Sequence, residues 1–223
     1  MSQTTPYQPV LLRLLHNAIA LLVFASLITG FMVYDRYDKR FGTLNLPEIR
    51  NTQGIHGTIA LVFLILLPIF ALYCFHLGYR RLVQKESLSH LKDVGKPIWW
   101  ISIQRITNTT ILLSGTFAVI TGRMMNEEWL PSGEFNHAWY IGHLIAWLLM
   151  IIGIAMHLLM SAKVGGISLL LSIYNWKIRA EDTPNHWFRG FHLKPASIVL
   201  FVFEALVIGG IAIAFILPAF SPQ

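Results

Sequence analysis

From His137 to Ala162 the chain carries no Asp, Glu, Lys or Arg. A stretch of that length crosses a bilayer as one helix. Two histidines, His143 and His157, stand fourteen residues apart within it. That spacing is about 21 Å of helix, and fourteen steps of about 100° return the second side chain to nearly the face of the first. Ala146, Met150 and Gly153 lie on the same face between them. One helix therefore aims two imidazoles the same way, one toward each side of the hydrocarbon. Neutral imidazole is a common metal ligand, and two in register along a membrane normal suggest one metal centre per leaflet. The competing reading is a pair of hydrogen-bonded core histidines.

Composition puts this segment in a wider setting. Of 223 residues 55% are hydrophobic and only 13% charged, with a mean hydropathy of +0.57. Several windows of about 20 residues lack charge, which a soluble domain does not show. The fold class is all-α: a polytopic membrane protein, one transmembrane domain over residues 1–223. The opening Met-Ser-Gln-Thr-Thr-Pro-Tyr-Gln-Pro has no basic n-region, and no small-residue cleavage site comes after it, so no signal peptide is expected. The net charge of +6 fits basic loops facing the cytoplasm and gives no reason to expect nucleic-acid binding. The single cysteine, Cys74, rules out an internal disulfide, an iron–sulfur cluster held by this chain alone, and Cys-x-x-Cys-His attachment of haem. Any haem here is held non-covalently.

Five helices are expected. The first runs from about Val10 to Tyr34, with Pro9 placed to start it, and the second from Asn51 to Leu77. A basic loop holding Arg80, Arg81, Lys85, Lys92 and Lys96 leads to the third, Pro97 to Gly122. The fourth is the segment from Asn136 to Lys163. Residues 164–195 contain an apolar run, Ile167 to Ile173, too short to span, and are expected to be interfacial or loop. The fifth helix covers 196–217, outside the core at 10–163. Eleven Lys and Arg residues lie on the N-terminal segment and the second and fourth connections, against five on the first and third. The excess places the N-terminus in the cytoplasm and the C-terminus outside, in a bacterial-type cytoplasmic membrane.

With that topology four histidines pair by depth. His16 and His157 fall near the inner ends of their helices, His56 and His143 near the outer ends. Each pair can supply both axial ligands to one iron, giving two b-type haems in a four-helix di-haem bundle with a fifth transmembrane helix beside it. Gly30, Gly115 and Gly122 offer room for a macrocycle, or simply close helix packing. His76 lies twenty residues past His56, about 30 Å along the helix, and is expected at the inner interface. His90, His186 and His192 fall in loops, and His137 sits at the outer mouth of the fourth helix.

Arg13-Leu-Leu-His16 opening helix one, His56-Gly57 opening helix two, Thr121-Gly122 closing helix three and the two histidines of helix four resemble the di-haem cytochrome b superfamily. That superfamily includes the gamma subunit of formate dehydrogenase and the cytochrome b subunit of nickel–iron hydrogenase. The likeness spans residues 10 to 163. It implies that His16, His56, His143 and His157 are the ligands, and that the chain moves electrons between quinone or quinol and a redox partner subunit. Such a chain is an electron-transfer component rather than a self-contained enzyme.

Haem propionates need cations, and Arg13 and Arg105 lie at the depth of the inner pair; snorkelling to lipid headgroups is the other use for them. If quinone binds near the inner haem, as the resemblance implies, Gln104, Arg105, Asn108 and Lys163 are the nearest donors. Glu204 in helix five either carries protons or pairs with a group on a neighbouring helix. Two other classes compete: a permease passing a transition metal along its histidines, and a structural subunit of a membrane complex. Missing repeats and missing Met or Cys clusters argue against the permease.

Overall fold

The computed structural model describes residues 6–217, and among them it has five α-helices and no strand. They are α1 (Val10–Tyr37), α2 (Thr52–His76), α3 (Pro97–Arg123), α4 (Ala138–Ser172) and α5 (Ile198–Ile216). Local chemistry sets their ends. Pro9 precedes the first turn of α1, and Pro97 occupies the first turn of α3, where a missing N–H costs nothing. Asn51 takes a left-handed conformation (φ 60°) to turn the chain into α2. Ser197 caps α5 by accepting from the Leu200 N–H at 3.3 Å.

Four of these helices, α1, α2, α4 and α5, are long and apolar enough to cross a membrane. The more polar α3 runs antiparallel along α4 for its whole length. Gln104 meets Ser161 and Asn108 meets His157, a Cβ on Gly153 would touch Ile111, and one on Gly142 would touch Thr121. A helix matched so to a spanning partner spans with it. The protein is an integral membrane helical bundle. Side chains such as Leu21, Ile28, Ile65, Ile152 and Leu206 remain exposed because lipid covers them.

The main core joins α2, α3 and α5: Phe63, Leu64, Leu67 and Phe75 pack with Leu112 and Val119, and with Leu200, Val207 and Ile211. Close approach of α5 needs Gly210, where an added Cβ would lie 2.6 Å from Thr116 Cγ2. A second cluster, Val33, Leu130 and Tyr140, closes the opposite end.

Two departures from expectation have local causes. Helix α1 continues past Tyr34 because Asp35 turns its carboxylate onto the next loop, accepting from Thr43 Oγ1 (2.7 Å) and from the Leu44 (2.6 Å) and Leu46 (2.8 Å) N–H groups. Residues 167–172, expected to be interfacial or loop, are helical. They come after a break at Gly166 (φ 69°, ψ −174°), a conformation open in practice to glycine alone. The break turns the tail of α4 under α1, where Asn17 Nδ2 donates to the Ile173 carbonyl (3.1 Å) and Gln8 Nε2 to Ser172 Oγ (3.2 Å).

This rim is fastened by Asp182. Its carboxylate accepts from the Tyr7 hydroxyl, the Val10 N–H (3.0 Å), the Arg179 N–H (2.8 Å) and Arg13 Nη2 (3.2 Å). Arg13 also donates to the Lys177 carbonyl at 3.0 Å. Burial alone would raise the Asp182 carboxyl, but these donors outweigh it and hold it below the usual carboxylate range. Burial and the bond to Asp182 push the Tyr7 phenol up to about 12. The contribution of Asp182 to stability is therefore complete near neutrality and is lost only as pH falls through the depressed folded value.

Candidate functional site

The four histidines stand as two facing pairs. His16 on α1 and His157 on α4 have ring centres 6.1 Å apart, and His56 on α2 and His143 on α4 are likewise 6.1 Å apart. Ala146, Met150 and Gly153, on the α4 face between the two levels, are buried.

Hydrogen bonds assign the tautomers of three rings. Carbonyl oxygens only accept, so His143 Nδ1 carries its hydrogen toward Ala118 O (3.1 Å). Thr121 Oγ1, which donates to Phe117 O at 2.8 Å, stands 3.0 Å from the same nitrogen. Thr29 donates to Ala25 O (2.7 Å) and so accepts from His56 Nδ1 at 3.0 Å. Asn108 Nδ2 donates to Arg81 O (2.9 Å), which orients its amide oxygen to accept from His157 Nδ1 at 2.7 Å. Each of these rings is left with Nε2 as a free lone pair, the state of a metal ligand whose second nitrogen is held by the protein. His16 Nδ1 is buried and has no hydrogen-bond partner among the described residues.

Glycines let the rings sit where they do. A Cβ on Gly30 would lie 3.2 Å from His56 Cε1, and one on Gly122 would lie 3.1 Å from His143 Cε1. With Gly115 they line a cavity of about 1200 Å³ that contains both outer histidines and has Arg40 and Arg123 on its wall. Ligand pockets are usually about 300–1,000 Å³, so a macrocycle has room. The separation of the rings fits as well. Two metal–nitrogen bonds of about 2 Å each, plus about 1.1 Å from nitrogen to ring centre on either side, give about 6 Å across an imidazole–metal–imidazole unit. Among the described residues no three of His, Cys, Asp and Glu converge on one point. Two imidazoles at that separation would instead suit a haem, whose macrocycle brings its own further donors to the iron.

The family model of prokaryotic cytochrome b561, the cytochrome b of nickel–iron hydrogenase and formate dehydrogenase type, matches residues 7–176. The chain belongs to this family. No curated protein and no solved structure matched it. It is a membrane b-type cytochrome that binds haem b and works in electron transfer. The matched residues contain all four paired histidines, while α5 and the segment leading into it lie beyond them.

In this b561-family bundle the remaining candidates have diverse partners. Arg13 lies in the Asp182 cluster, its side chain 4% exposed. Arg105 Nε donates to Arg80 O (3.1 Å), Gln104 Nε2 to Ser161 Oγ (3.2 Å), and Lys163 sits over the Trp100 ring at 5.0 Å. Asn108 is the one polar residue of the group placed against a paired histidine. His76, expected at the interface, is buried: Nε2 is 2.8 Å from Glu204 Oε1 and Nδ1 is 2.6 Å from His192 O. Glu204 thus pairs with a neighbouring helix, one of its two expected roles. His137 bonds Glu134 (2.8 Å) and stacks on Trp129, and His186 bonds Thr183 (3.0 Å).

Sequence reasoning passed over Thr29 and the pairing role of Thr121. The signal was a repeated dipeptide. Thr29-Gly30 on α1 and Thr121-Gly122 on α3 each set a threonine oxygen on one outer histidine's Nδ1 and a glycine beneath its ring.

Proposed function

We propose that this cytochrome carries two haems b, the inner held by His16 and His157 and the outer by His56 and His143, and passes electrons between them across the bilayer. The observation that carries the reading is the matched spacing of the two ring pairs, 6.1 Å in each. When bound, haem supplies a reversible one-electron change at its iron.

The chain's part is to position and insulate. Thr29, Thr121 and Asn108 hold three Nδ1 hydrogens, which fixes ring orientation and makes Nε2 a better donor. Fourteen residues of α4 set the two levels about 21 Å apart. Arg123, on the wall of the outer cavity, supplies positive charge for propionates there, since Arg40 on the same wall is already paired with Asp38. Quinone exchanges electrons on the inner side, beside His157 and the polar start of α3, and the family membership supports a quinone and a membrane redox partner. The distribution of Lys and Arg supports a cytoplasmic N-terminus and an outer C-terminus.

Pyridine haemochrome analysis of the purified chain tests this, with about two haems b per polypeptide expected; one per polypeptide overturns the two-centre assignment. For orientation, a reporter fused after Gln223 is expected to register on the outer side of the membrane. A cytoplasmic signal there would mean either that α5 does not span or that the orientation, and with it the inner and outer pairs, is reversed.

A further inference from the structure

Outside the two histidine pairs lies a buried histidine–carboxyl pair. His76, the last residue of α2, and Glu204, two turns into α5, meet at 2.8 Å with side chains 7% and 16% exposed. The donors fix how many protons they hold. His192 O can only accept, so His76 Nδ1 donates to it at 2.6 Å. His76 Nε2 and Glu204 Oε1 therefore share one further proton, carried either by a neutral carboxyl group or by an imidazolium. The second carboxyl oxygen, Oε2, is buried and has no hydrogen-bond partner among the described residues. Inside a membrane such an oxygen is expensive unless it meets a donor.

The position of the pair ties it to the inner histidines. His76 leads directly into the turn at Tyr79–Arg81. The Arg81 carbonyl accepts from Asn108 (2.9 Å), whose amide oxygen holds His157 Nδ1 (2.7 Å). On its other side the pair ends at His192, an exposed residue stacked edge-on to Tyr79. A buried group with a vacant acceptor and an imidazole bonded at both nitrogens thus runs from the apolar bundle toward the inner surface.

We propose that His76 and Glu204 form the proton-exit site for quinol oxidation, a reading that rests on quinone exchange at the inner side. Oxidation of a quinol breaks two O–H bonds and releases two electrons and two protons; the electrons pass one at a time to the haem-bearing bundle. With each electron, one hydroxyl proton enters at Glu204 Oε2, the shared proton settles on His76 Nε2, and the Nδ1 proton leaves to water at the His192 edge. Rotation of the carboxyl group and ring restores the starting state, so one proton enters and one leaves per cycle.

The test uses the haem-loaded cytochrome with a soluble benzoquinol and a naphthoquinol as reductants. Glu204→Gln keeps a hydrogen-bond donor toward His76 Nε2 but cannot carry the proton. It is expected to retain haem content, spectrum and reduction by dithionite, while reduction by quinol slows about tenfold or more. Glu204→Asp recovers part of the rate. Time-resolved infrared spectra during reduction by quinol are expected to show a transient carboxyl band in the wild type that Glu204→Gln lacks. Should Glu204→Gln lose haem, His76→Gln, which also keeps a side-chain amide between the two partners, carries the same prediction. Quinol reduction of the Gln variant at the wild-type rate would reduce the pair to a clamp on α5 and overturn the proposal. A wild type that dithionite reduces but neither quinol does would instead remove the quinone reading itself, and the proton role with it.

Discussion

His143→Ala is expected to retain about half of the wild-type haem, all of it at the inner pair, and His157→Ala to retain the other half. On the proposed assignment each substitution removes one of the two imidazoles that would hold a haem, from a pair whose rings are 6.1 Å apart, leaving a single imidazole on the opposite helix. The two levels are separated by about 21 Å of α4, so the loss at one is not expected to spread to the other. Low-temperature reduced spectra with the haemochrome assay distinguish the two sites. His76→Ala is the control: both of its nitrogens are engaged by Glu204 and His192, and both haems are expected to stay. If His143→Ala and His157→Ala each kept two haems, the ligand assignment would be wrong.

The second large effect falls on Asn108. In Asn108→Leu the His157 Nδ1 hydrogen loses its acceptor at 2.7 Å and the Arg81 carbonyl loses its donor at 2.9 Å. Partners of this kind are worth about 10–100-fold in metal affinity. Inner haem is therefore expected to transfer to apomyoglobin about 10–100 times faster, with the outer haem unchanged. From the sequence Asn108 is either a quinone donor or a partner of the haem propionates, and the quinone role predicts slower reduction by quinol with haem retention intact. Transfer kinetics separate the two roles, and retention at the wild-type rate would return Asn108 to the quinone alone.

How far the structure was legible in the sequence depends on the range of the interactions involved. Helices α2, α3 and α5 begin and end within two residues of expectation because proline, serine, glycine and the edges of charge-free windows act locally. The fourteen-residue spacing on α4 is also local, and it was enough to set His143 and His157 at two depths. Arg13 shows the opposite case. Its partner Asp182 lies 169 residues away in a 3₁₀ turn, and no periodicity in either segment points to the other. Nor does the paired glycine at 165–166 announce the short helix beyond it. Two glycines after an apolar run signal a stop, yet residues 167–172 are helical again, and Gln8 and Asn17 bond the end of that segment. The threonines beside the outer histidines were hidden differently. A threonine bonded to its own helix is usually a local matter, and only the packing of α1 on α2 and of α3 on α4 turns its oxygen into a support for a ring.

The Asp182 cluster also sets an order of events during synthesis. Tyr7, Val10 and Arg13 emerge first, but the carboxylate that satisfies them is made 169 residues after Arg13. Until then Arg13 has no counter-ion in the cluster and stays with headgroups or water. The start of α1, and with it His16 one turn along, can settle only after α4 has been inserted. The inner pair, His16 with His157, is therefore positioned last, by a residue beyond the matched region, whereas the outer pair and the cavity around it need nothing made after Met150. In the proposed two-haem arrangement, a ribosome-bound chain arrested shortly after α4 would carry a finished outer site beside an inner one still open to solvent and to its cofactor.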